Sequence, residues 1–131
     1  MQRFHVNLSV SDLQRSVAFY VHLFGSEPTV LKEDYAKWML EDPRINFSLT
    51  ESPHRSGINH LGLQVDSAAE LAVLRQRAVD AGEQTLEQPD ASCCYARSSK
   101  SWLRDPDDVA WETFVTHGSI AHFGTDRNAG V

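Results

Sequence analysis

Cysteine is nearly absent from this chain, which has two among 131 residues, and these two, Cys93 and Cys94, are adjacent. Neighbouring cysteines rarely bond to each other, because the ring that would close departs from normal disulfide geometry. With no third cysteine, the sequence excludes a fold held together by disulfides. Two neighbouring thiols are instead a soft pair of ligands, suited to a thiophilic ion or metalloid. The alternative is that one is a small buried apolar side chain and the other a bystander.

Basic residues are outnumbered and long apolar runs are missing. The chain has 12 lysines and arginines against 18 aspartates and glutamates, which gives a formal net charge of -6. This balance argues against nucleic acid or an anionic membrane as the main partner. No apolar run is long enough to span a bilayer, and the N-terminus enters a strand pattern without a signal peptide. We therefore expect a cytoplasmic protein whose thiols stay reduced.

A repeat divides the chain into two similar halves. Residues 4–10 and 59–65 both alternate apolar and polar side chains with the period of a β-strand. Each segment has a histidine near its start, His5 in the first and His60 in the second. Each strand is therefore expected to have an apolar face that packs against helices and a polar face that carries its histidine.

A helix signal follows each of these strands. Ser11 and Ser67 each stand three residues before a Gln or Glu, the spacing of a capping box, and Gly25 and Gly82 end the apolar periodicity. Three strand-like segments follow each helix, at 28–32, 35–40 and 45–51 in the first half and at 84–88, 93–103 and 109–116 in the second. The sequence thus predicts an α+β fold built from two βαβββ modules.

The predicted modules belong to one domain. A chain of 131 residues, 41% of them hydrophobic, is long enough for a single compact domain with its own core. Within residues 1–131, module one covers about 3–51, a linker 52–57, module two about 58–116 and a polar tail 117–131.

Glu112 supplies a carboxylate at a position that the repeat relates to the first half. When the last strands of the two halves are aligned, Glu112 stands where the first half has Asn46. A pseudo-twofold relation would let His5 and His60 face one cavity, so that two imidazoles and one carboxylate converge. This set suits Fe(II) or Mn(II) and leaves open positions for substrate, water or O2. Asn46 and Ser48 are poor fourth ligands, so we predict three protein ligands.

Each member of this set also has an ordinary explanation. A lone histidine at the start of a strand is more often exposed or hydrogen-bonded than a metal ligand. Two histidines at equivalent positions of a repeat are harder to explain in this way. Glu112 lies in an otherwise apolar strand. A carboxylate that faces a cavity there needs a counter-charge, which a metal supplies.

The two-module plan, the paired histidines and the closing motif Asp-Pro-Asp-x-x-x-Trp-Glu at 105–112 resemble the vicinal-oxygen-chelate superfamily. This superfamily contains glyoxalase-type enzymes, bleomycin-resistance proteins and extradiol dioxygenases. The resemblance covers residues 4–116 and implies a half-open barrel of two modules around a metal cavity. It also implies a homodimer, because members are commonly dimers. Asp108 stands where the family usually has Gly, so we expect a slightly altered turn and a retained fold.

A narrower resemblance rests on segments of both halves. In the first half they are Phe19-Tyr20, Leu23-Phe24-Gly25-Ser26-Glu27-Pro28 and Tyr35-Ala36-Lys37-Trp38; in the second they are Asn59-His60-Leu61-Gly62, Cys93-Cys94-Tyr95-Ala96 and Lys100-Ser101-Trp102. These look like the branch that contains cadmium-induced proteins and non-haem Fe(II) carbon–arsenic lyases. The resemblance implies that His5, His60 and Glu112 bind the metal. It implies that Cys93 and Cys94 are the thiols that bind the substrate, with Tyr95 and Lys100 as auxiliary residues. The auxiliary pair would orient the loop or pair with developing negative charge. Its ordinary explanation is a strand aromatic and a surface cation.

The activity implied by this resemblance is cleavage of the carbon–arsenic bond in trivalent organoarsenicals, with Fe(II) and O2, to give arsenite. Another divalent metal could replace Fe(II). One alternative is a protein that binds cadmium or a drug without turnover. A second is a glyoxalase-type isomerase or a thiol transferase, against which the missing fourth ligand at Asn46 argues. A third is a ring-cleaving dioxygenase, in which the thiols would be idle. The segment Arg97-Ser98-Ser99 lacks the Gln-Asp of that branch, which leaves the preferred organoarsenical open.

Overall fold

A computed structural model describes residues 1–93 and 96–119, and within these ranges it describes all side chains except those of 90–93, 96–97 and 117–119. The chain forms two compact units. The first unit consists of Phe4–Asn59, and the second consists of Met1–Arg3 together with the residues from His60 onward.

The first unit follows the order strand, helix and three strands. Its elements are β1 (Arg3–Val10), α1 (Leu13–Phe24), β2 (Val30–Leu31), β3 (Tyr35–Glu41) and β4 (Arg44–Glu51). The strands lie in the order β2-β3-β4-β1. β1 and β4 are parallel, whereas β3 is antiparallel to both of its neighbours.

The second half of the chain repeats this order. Its elements are β5 (Gly57–Gln64), α2 (Ala68–Asp80), β6 (Leu86–Cys93), β7 (Ala96–Arg104) and β8 (Ala110–Ser119). The strands lie in the order β5-β8-β7-β6, with β5 parallel to β8 and β7 antiparallel to β6 and β8. The predicted α+β class and the two βαβββ modules are confirmed. Among the described residues, neither helix combines the length and hydropathy of a membrane-spanning segment.

The helix ends agree with their predicted signals except at one position. α1 is capped by Asp12, whose Oδ1 accepts the backbone N–H of Arg15 at 3.1 Å, and not by Ser11 as predicted. Both residue types are good N-caps, so sequence alone does not decide between neighbours. Ser67 caps α2 as predicted, accepting the N–H of Glu70 at 3.1 Å. Gly25 ends α1 with a φ of 71°, the left-handed conformation that glycine adopts easily.

Several predicted strand boundaries in the second half move, and the strand predicted at 84–88 is β6, which covers Leu86–Cys93. Cys93 was expected to begin a strand at 93–103, but it ends β6 and pairs with Ala96, the first residue of β7. The last strand was expected to end at 116, but β8 continues to Ser119. The pairing of β8 with β7 explains this length, because Ala96, the first residue of β7, pairs with Ser119 at the end of β8. The rest of the predicted tail lies outside the described residues.

One face of the first unit's sheet is covered by α1. The core residues Leu13, Ala36, Trp38, Phe47 and Leu49 are buried there, and Val6, Leu8 and Val10 of β1 pack against them. Each large apolar side chain buried in this way stabilises the fold by roughly 1.5–3 kcal/mol. Because side chains alternate along a strand, burial of this face turns the polar residues of β1 to the opposite face.

Candidate metal centre

The polar face of the first unit is buried and hydrogen-bonded. β1 and β4 pair in a register that sets His5 beside Asn46 and Asn7 beside Ser48. Asn7 Nδ2 donates to Ser48 Oγ at 2.7 Å, and both side chains are buried. The predicted polar face is therefore present. The polar residues His5 and Asn7 of β1 are less exposed to solvent than Phe4 on its apolar face, which is 40% exposed.

His5 is buried on this face with one ring nitrogen directed at the backbone. Its Nδ1 lies 3.0 Å from the carbonyl oxygen of Asn46. A proton on Nδ1 is donated to that carbonyl, which leaves the lone pair of the neutral ring on Nε2. Metal-binding histidines commonly use such a bond to fix the tautomer and the ring orientation. The local structure thus suits His5 as an Nε2 ligand.

In the second unit, His60 of β5 meets Glu112 of β8. His60 Nε2 lies 3.6 Å from Glu112 Oε1, and both side chains are buried. This separation is too long for a good N–H···O hydrogen bond. Two ligand atoms about 2.1 Å from one ion stand about 3.0 Å apart at a right angle and about 3.4 Å apart at a tetrahedral angle, so the observed spacing is slightly wider than that of two bound ligands. An imidazole nitrogen and a carboxylate oxygen are ligand types that suit a first-row divalent ion.

Gly62 allows this approach of the two strands. It pairs with Glu112, and a Cβ added at Gly62 would lie 2.2 Å from the backbone oxygen of Glu112. Glycine is therefore required here, because any side chain would push β8 and its carboxylate away from β5. Sequence reasoning assigned Gly62 no function. The signal was a glycine inside a strand pattern, which often marks a close backbone approach.

Lys100 is buried against Glu112, so its interpretation as a surface cation is wrong. Its Nζ lies 2.7 Å from Glu112 Oε2, and its side chain is 6% exposed. The two carboxylate oxygens of Glu112 thus have different neighbours: Oε2 contacts Lys100, and Oε1 lies nearer to His60. A metal was inferred partly because Glu112 needs a counter-charge. Lys100 already supplies one, so that argument for a metal is weakened while the ligand geometry remains.

Trp102 lies beside this group and was not predicted to belong to it. Its indole ring meets the His60 ring edge to face, with centroids 5.1 Å apart and planes at 76°. Its Nε1 donates to Gln88 Oε1 at 2.9 Å. Trp102 stands two residues after Lys100 on β7, and a period of two puts both side chains on one face.

The Asp-Pro-Asp motif forms the turn that leads into β8. Asp105 Oδ1 accepts the backbone N–H groups of Asp107 and Val109, both at 2.9 Å. The N–H of Val109 is the main cause of a lowered pKa of the Asp105 carboxyl; desolvation opposes it, and the N–H of Asp107 adds to it. Asp108 has a φ of 70°, the conformation that a glycine adopts easily, and its carbonyl accepts Arg104 Nη1 at 2.8 Å. The fold is retained with Asp at this position, as expected.

The other predicted residues are only partly described. Cys93 is placed as the last residue of β6, but its side chain, like Cys94 and Tyr95, lies outside the described residues. Within the second unit the structure brings His60, Glu112 and Lys100 together. His5 belongs to the first unit, and its ligation of the same ion stays a prediction.

Comparison with known proteins gives consistent likenesses. The family model of the glyoxalase/bleomycin resistance protein/dioxygenase superfamily matches residues 2–113. A trivalent organoarsenical cleaving enzyme of Bacillus sp. (strain MD1) is 39% identical over 130 residues, which cover 95% of this chain and 80% of that protein. The cadmium-induced protein CadI of Mycobacterium bovis is 32% identical over 126 residues, covering 95% and 83%.

One solved structure extends the likeness to the fold. The Mn(II)-bound glyoxalase of Novosphingobium aromaticivorans aligns with a TM-score of 0.66 at 18% identity, covering 95% of this chain and 44% of that one. At this identity the likeness shows a shared fold. It carries no information about which metal or substrate this chain binds.

Proposed function

The chain belongs to the glyoxalase/bleomycin resistance protein/dioxygenase superfamily, and we propose that it cleaves the carbon–arsenic bond of trivalent organoarsenicals. The observation that carries this proposal is one β-hairpin of the second unit. Cys93 is the last residue of β6 and is followed in the sequence by Cys94, and β7 carries Lys100, which contacts Glu112. The hairpin that has Cys93 in its first strand thus carries in its second strand the lysine that contacts the proposed metal ligand Glu112. The relative from Bacillus sp., 39% identical, is named for this cleavage.

His5, His60 and Glu112 are proposed to hold one divalent ion, with Fe(II) the first choice. Both histidines are buried and occupy equivalent strands of the repeat. Each has a neighbour that suits ligation: a carbonyl on Nδ1 of His5, and a carboxylate oxygen near Nε2 of His60. When bound, Fe(II) would supply the redox chemistry that activates O2 and would leave open positions for it.

The two cysteines are proposed to bind the substrate through arsenic. Trivalent arsenic is thiophilic, so two thiolates from Cys93 and Cys94 would hold the organoarsenical as a bis-thiolate and fix its carbon–arsenic bond. Orientation of reacting groups in this way is worth up to about 7–11 kcal/mol of a reaction barrier. The products would be arsenite and an oxidised organic fragment.

Lys100 is proposed to orient the carboxylate of Glu112. Its ammonium group binds Oε2 at 2.7 Å, which keeps Oε1 on the side of His60. Burial of all three side chains excludes water that would otherwise compete for these groups. The carboxylate is thereby held in one orientation before any ion or substrate arrives.

A second candidate is binding of a thiophilic ion or arsenical without turnover. The Lys100–Glu112 contact favours it, because the buried carboxylate already has a counter-charge and does not require a metal for its own stability. The relative named for induction by cadmium is also compatible with it.

One experiment separates the two candidates. Protein reconstituted with Fe(II) is mixed with a trivalent phenyl or methyl arsenical in air, and bound arsenical and released arsenite are measured in the same sample. The proposed activity predicts repeated release of arsenite by the wild type, and its loss in Cys93→Ser and Cys94→Ser variants that still bind the metal. Stoichiometric capture without arsenite would support the second candidate. Activity retained in both variants would exclude the thiol role.

A further inference from the structure

We infer that Trp102, fixed by Gln88, is a positioning residue that holds the His60 imidazole in the orientation needed for metal binding. The inference rests on the proposed metal centre and adds to it two residues that the ligand set does not include. It is carried by the packing of one buried ring against another and by one hydrogen bond between neighbouring strands.

The first observation is the contact of Trp102 with His60. Trp102 is 5% exposed and His60 5% exposed, so neither ring has room to turn into solvent. Their centroids are 5.1 Å apart and their planes meet at 76°, an edge-to-face arrangement. The indole thus blocks rotation of the imidazole about its outer side-chain bond. With that rotation blocked, Nε2 stays towards Glu112 Oε1, 3.6 Å away.

The second observation is the position of Trp102 on β7. Trp102 pairs directly with Glu112 across the antiparallel β7–β8 ladder. Directly opposed residues present their side chains on the same face, about 4.5–5.5 Å apart at Cβ. Lys100 Nζ lies 5.6 Å from the centre of the Trp102 ring on that face. Trp102 is therefore connected to His60, Glu112 and Lys100 alike.

The third observation is that Trp102 is itself fixed. Its indole N–H donates to Gln88 Oε1 at 2.9 Å, from the neighbouring strand β6. The β6–β7 register is regular from Leu86 to Gln88 and shifts between Gln88 and Ala91. Gln88 is thus the last residue of β6 before the register shift, and the segment after the shift ends at Cys93. The hydrogen bond from Trp102 to Gln88 therefore fixes the indole ring that contacts His60 to the strand β6.

Loss of this support should weaken metal binding more than it weakens the fold. Side chains that orient a metal ligand without touching the metal typically contribute 10- to 100-fold to metal affinity. In Trp102→Phe the ring is smaller and lacks the N–H donor, so His60 gains room. In Gln88→Leu the ring stays but its N–H loses its acceptor. Gln88→Glu keeps a carboxylate oxygen as acceptor and should rescue binding.

The test is titration of the full chain with Mn(II), a probe that is stable in air. Free Mn(II) is measured from its electron paramagnetic resonance signal, which gives a Kd without any assay of turnover. Quenching of tryptophan emission by the bound paramagnetic ion is recorded in parallel. Melting temperatures without metal show whether each variant is folded.

Trp111→Phe is the matched control. The Trp111 indole N–H also has an acceptor, Asp105 Oδ2 at 3.5 Å, and Trp111 is adjacent to Glu112 on the same strand. Because neighbours on a strand point to opposite faces, Trp111 lies away from His60. His60→Ala reports whether Mn(II) uses the proposed centre at all.

The expected result is a Kd raised about tenfold or more in Trp102→Phe and Gln88→Leu, and a wild-type Kd in Gln88→Glu and Trp111→Phe. Quenching should persist in Trp111→Phe and fall strongly in Trp102→Phe. If Trp102→Phe and Gln88→Leu bind Mn(II) as tightly as the wild type while His60→Ala does not bind, the positioning role is wrong and the metal centre stands. If His60→Ala binds like the wild type, the centre is wrong and the inference falls with it.

Discussion

Lys100 Nζ and Glu112 Oε2 are 2.7 Å apart, and both side chains are 6% exposed. This buried pair joins β7 to β8 next to His60. It means that the fold itself holds the carboxylate, and that a metal would enter a site whose anionic ligand is already oriented. The contact between Lys100 and Glu112 should therefore affect both the stability of the fold and the affinity for a metal.

Replacing Lys100 by Met should destabilise the protein by about 3–5 kcal/mol, because it leaves a buried carboxylate without its partner. A divalent ion would restore the lost counter-charge, so saturating Mn(II) should raise the melting temperature of this variant more than that of the wild type. Urea unfolding with and without Mn(II) measures both effects. Lys32→Met, at an exposed position, is the control. Equal stability of the two variants would contradict the account.

Gly62→Ala should both destabilise the fold and weaken metal binding. The added Cβ would meet the backbone oxygen of Glu112 at 2.2 Å, so β8 must shift. Inserting a methyl group into a packed site typically costs about 1–3 kcal/mol. The free energy of unfolding and the Mn(II) Kd are measured together.

Gly57→Ala controls for the loss of glycine itself. A Cβ there has no atom within 4 Å, although φ is +107°. This variant should lose stability through backbone strain and keep its Mn(II) Kd. An unchanged Kd in Gly62→Ala would show that the close approach of β5 and β8 does not position Glu112.

Asp105 should make the stability of the turn before β8 depend on pH. Its pKa in the folded protein is lowered from 3.8, chiefly by the N–H of Val109. A depressed carboxyl pKa contributes stability that is present above the unfolded pKa and lost as the pH falls through the folded pKa. The stability advantage of the wild type over Asp105→Asn should therefore be constant near neutral pH and shrink below about pH 3.8.

Thermal unfolding between pH 7 and pH 3 measures this dependence. Asp107→Asn is the control. Asp107 contributes its backbone N–H to the hydrogen bond with the Asp105 carboxylate, and this substitution leaves that N–H in place. A difference between wild type and Asp105→Asn that does not change with pH would mean that the charge of Asp105 does not stabilise the turn.

The order of strands and helices in the two modules could be predicted because short sequence patterns indicate each element. Alternation around His5 and His60 predicted two equivalent strands, and Ser67 with Glu70 predicted the start of α2. The first capping residue was assigned to Ser11 and is Asp12, since two adjacent residues of equal capping strength give no local preference. The end of β8 also moved, because strand length depends on the partner strand and not on its own residues.

The surroundings of Glu112 were less predictable than the ligand types. Lys100 lies in a polar stretch, and a lysine there is usually exposed. Its burial follows from the pairing of β7 with β8, which no local pattern reports. Trp102 belonged to a segment that carries the family resemblance, but sequence reasoning assigned it no role of its own. Lys100 and Trp102 share a face at a spacing of two, and this physical signal groups them from the sequence alone.

The most direct test of the central claim is arsenite release from a trivalent phenyl arsenical by Fe(II)-loaded protein, started by admitting O2 to an anaerobic sample. His60→Ala is compared with His22→Ala, which changes an exposed histidine of α1. We expect release by the wild type and by His22→Ala, only after O2 is admitted, and none by His60→Ala. Release that proceeds without O2, or equally in His60→Ala, would contradict a metal-dependent oxidative cleavage at this centre.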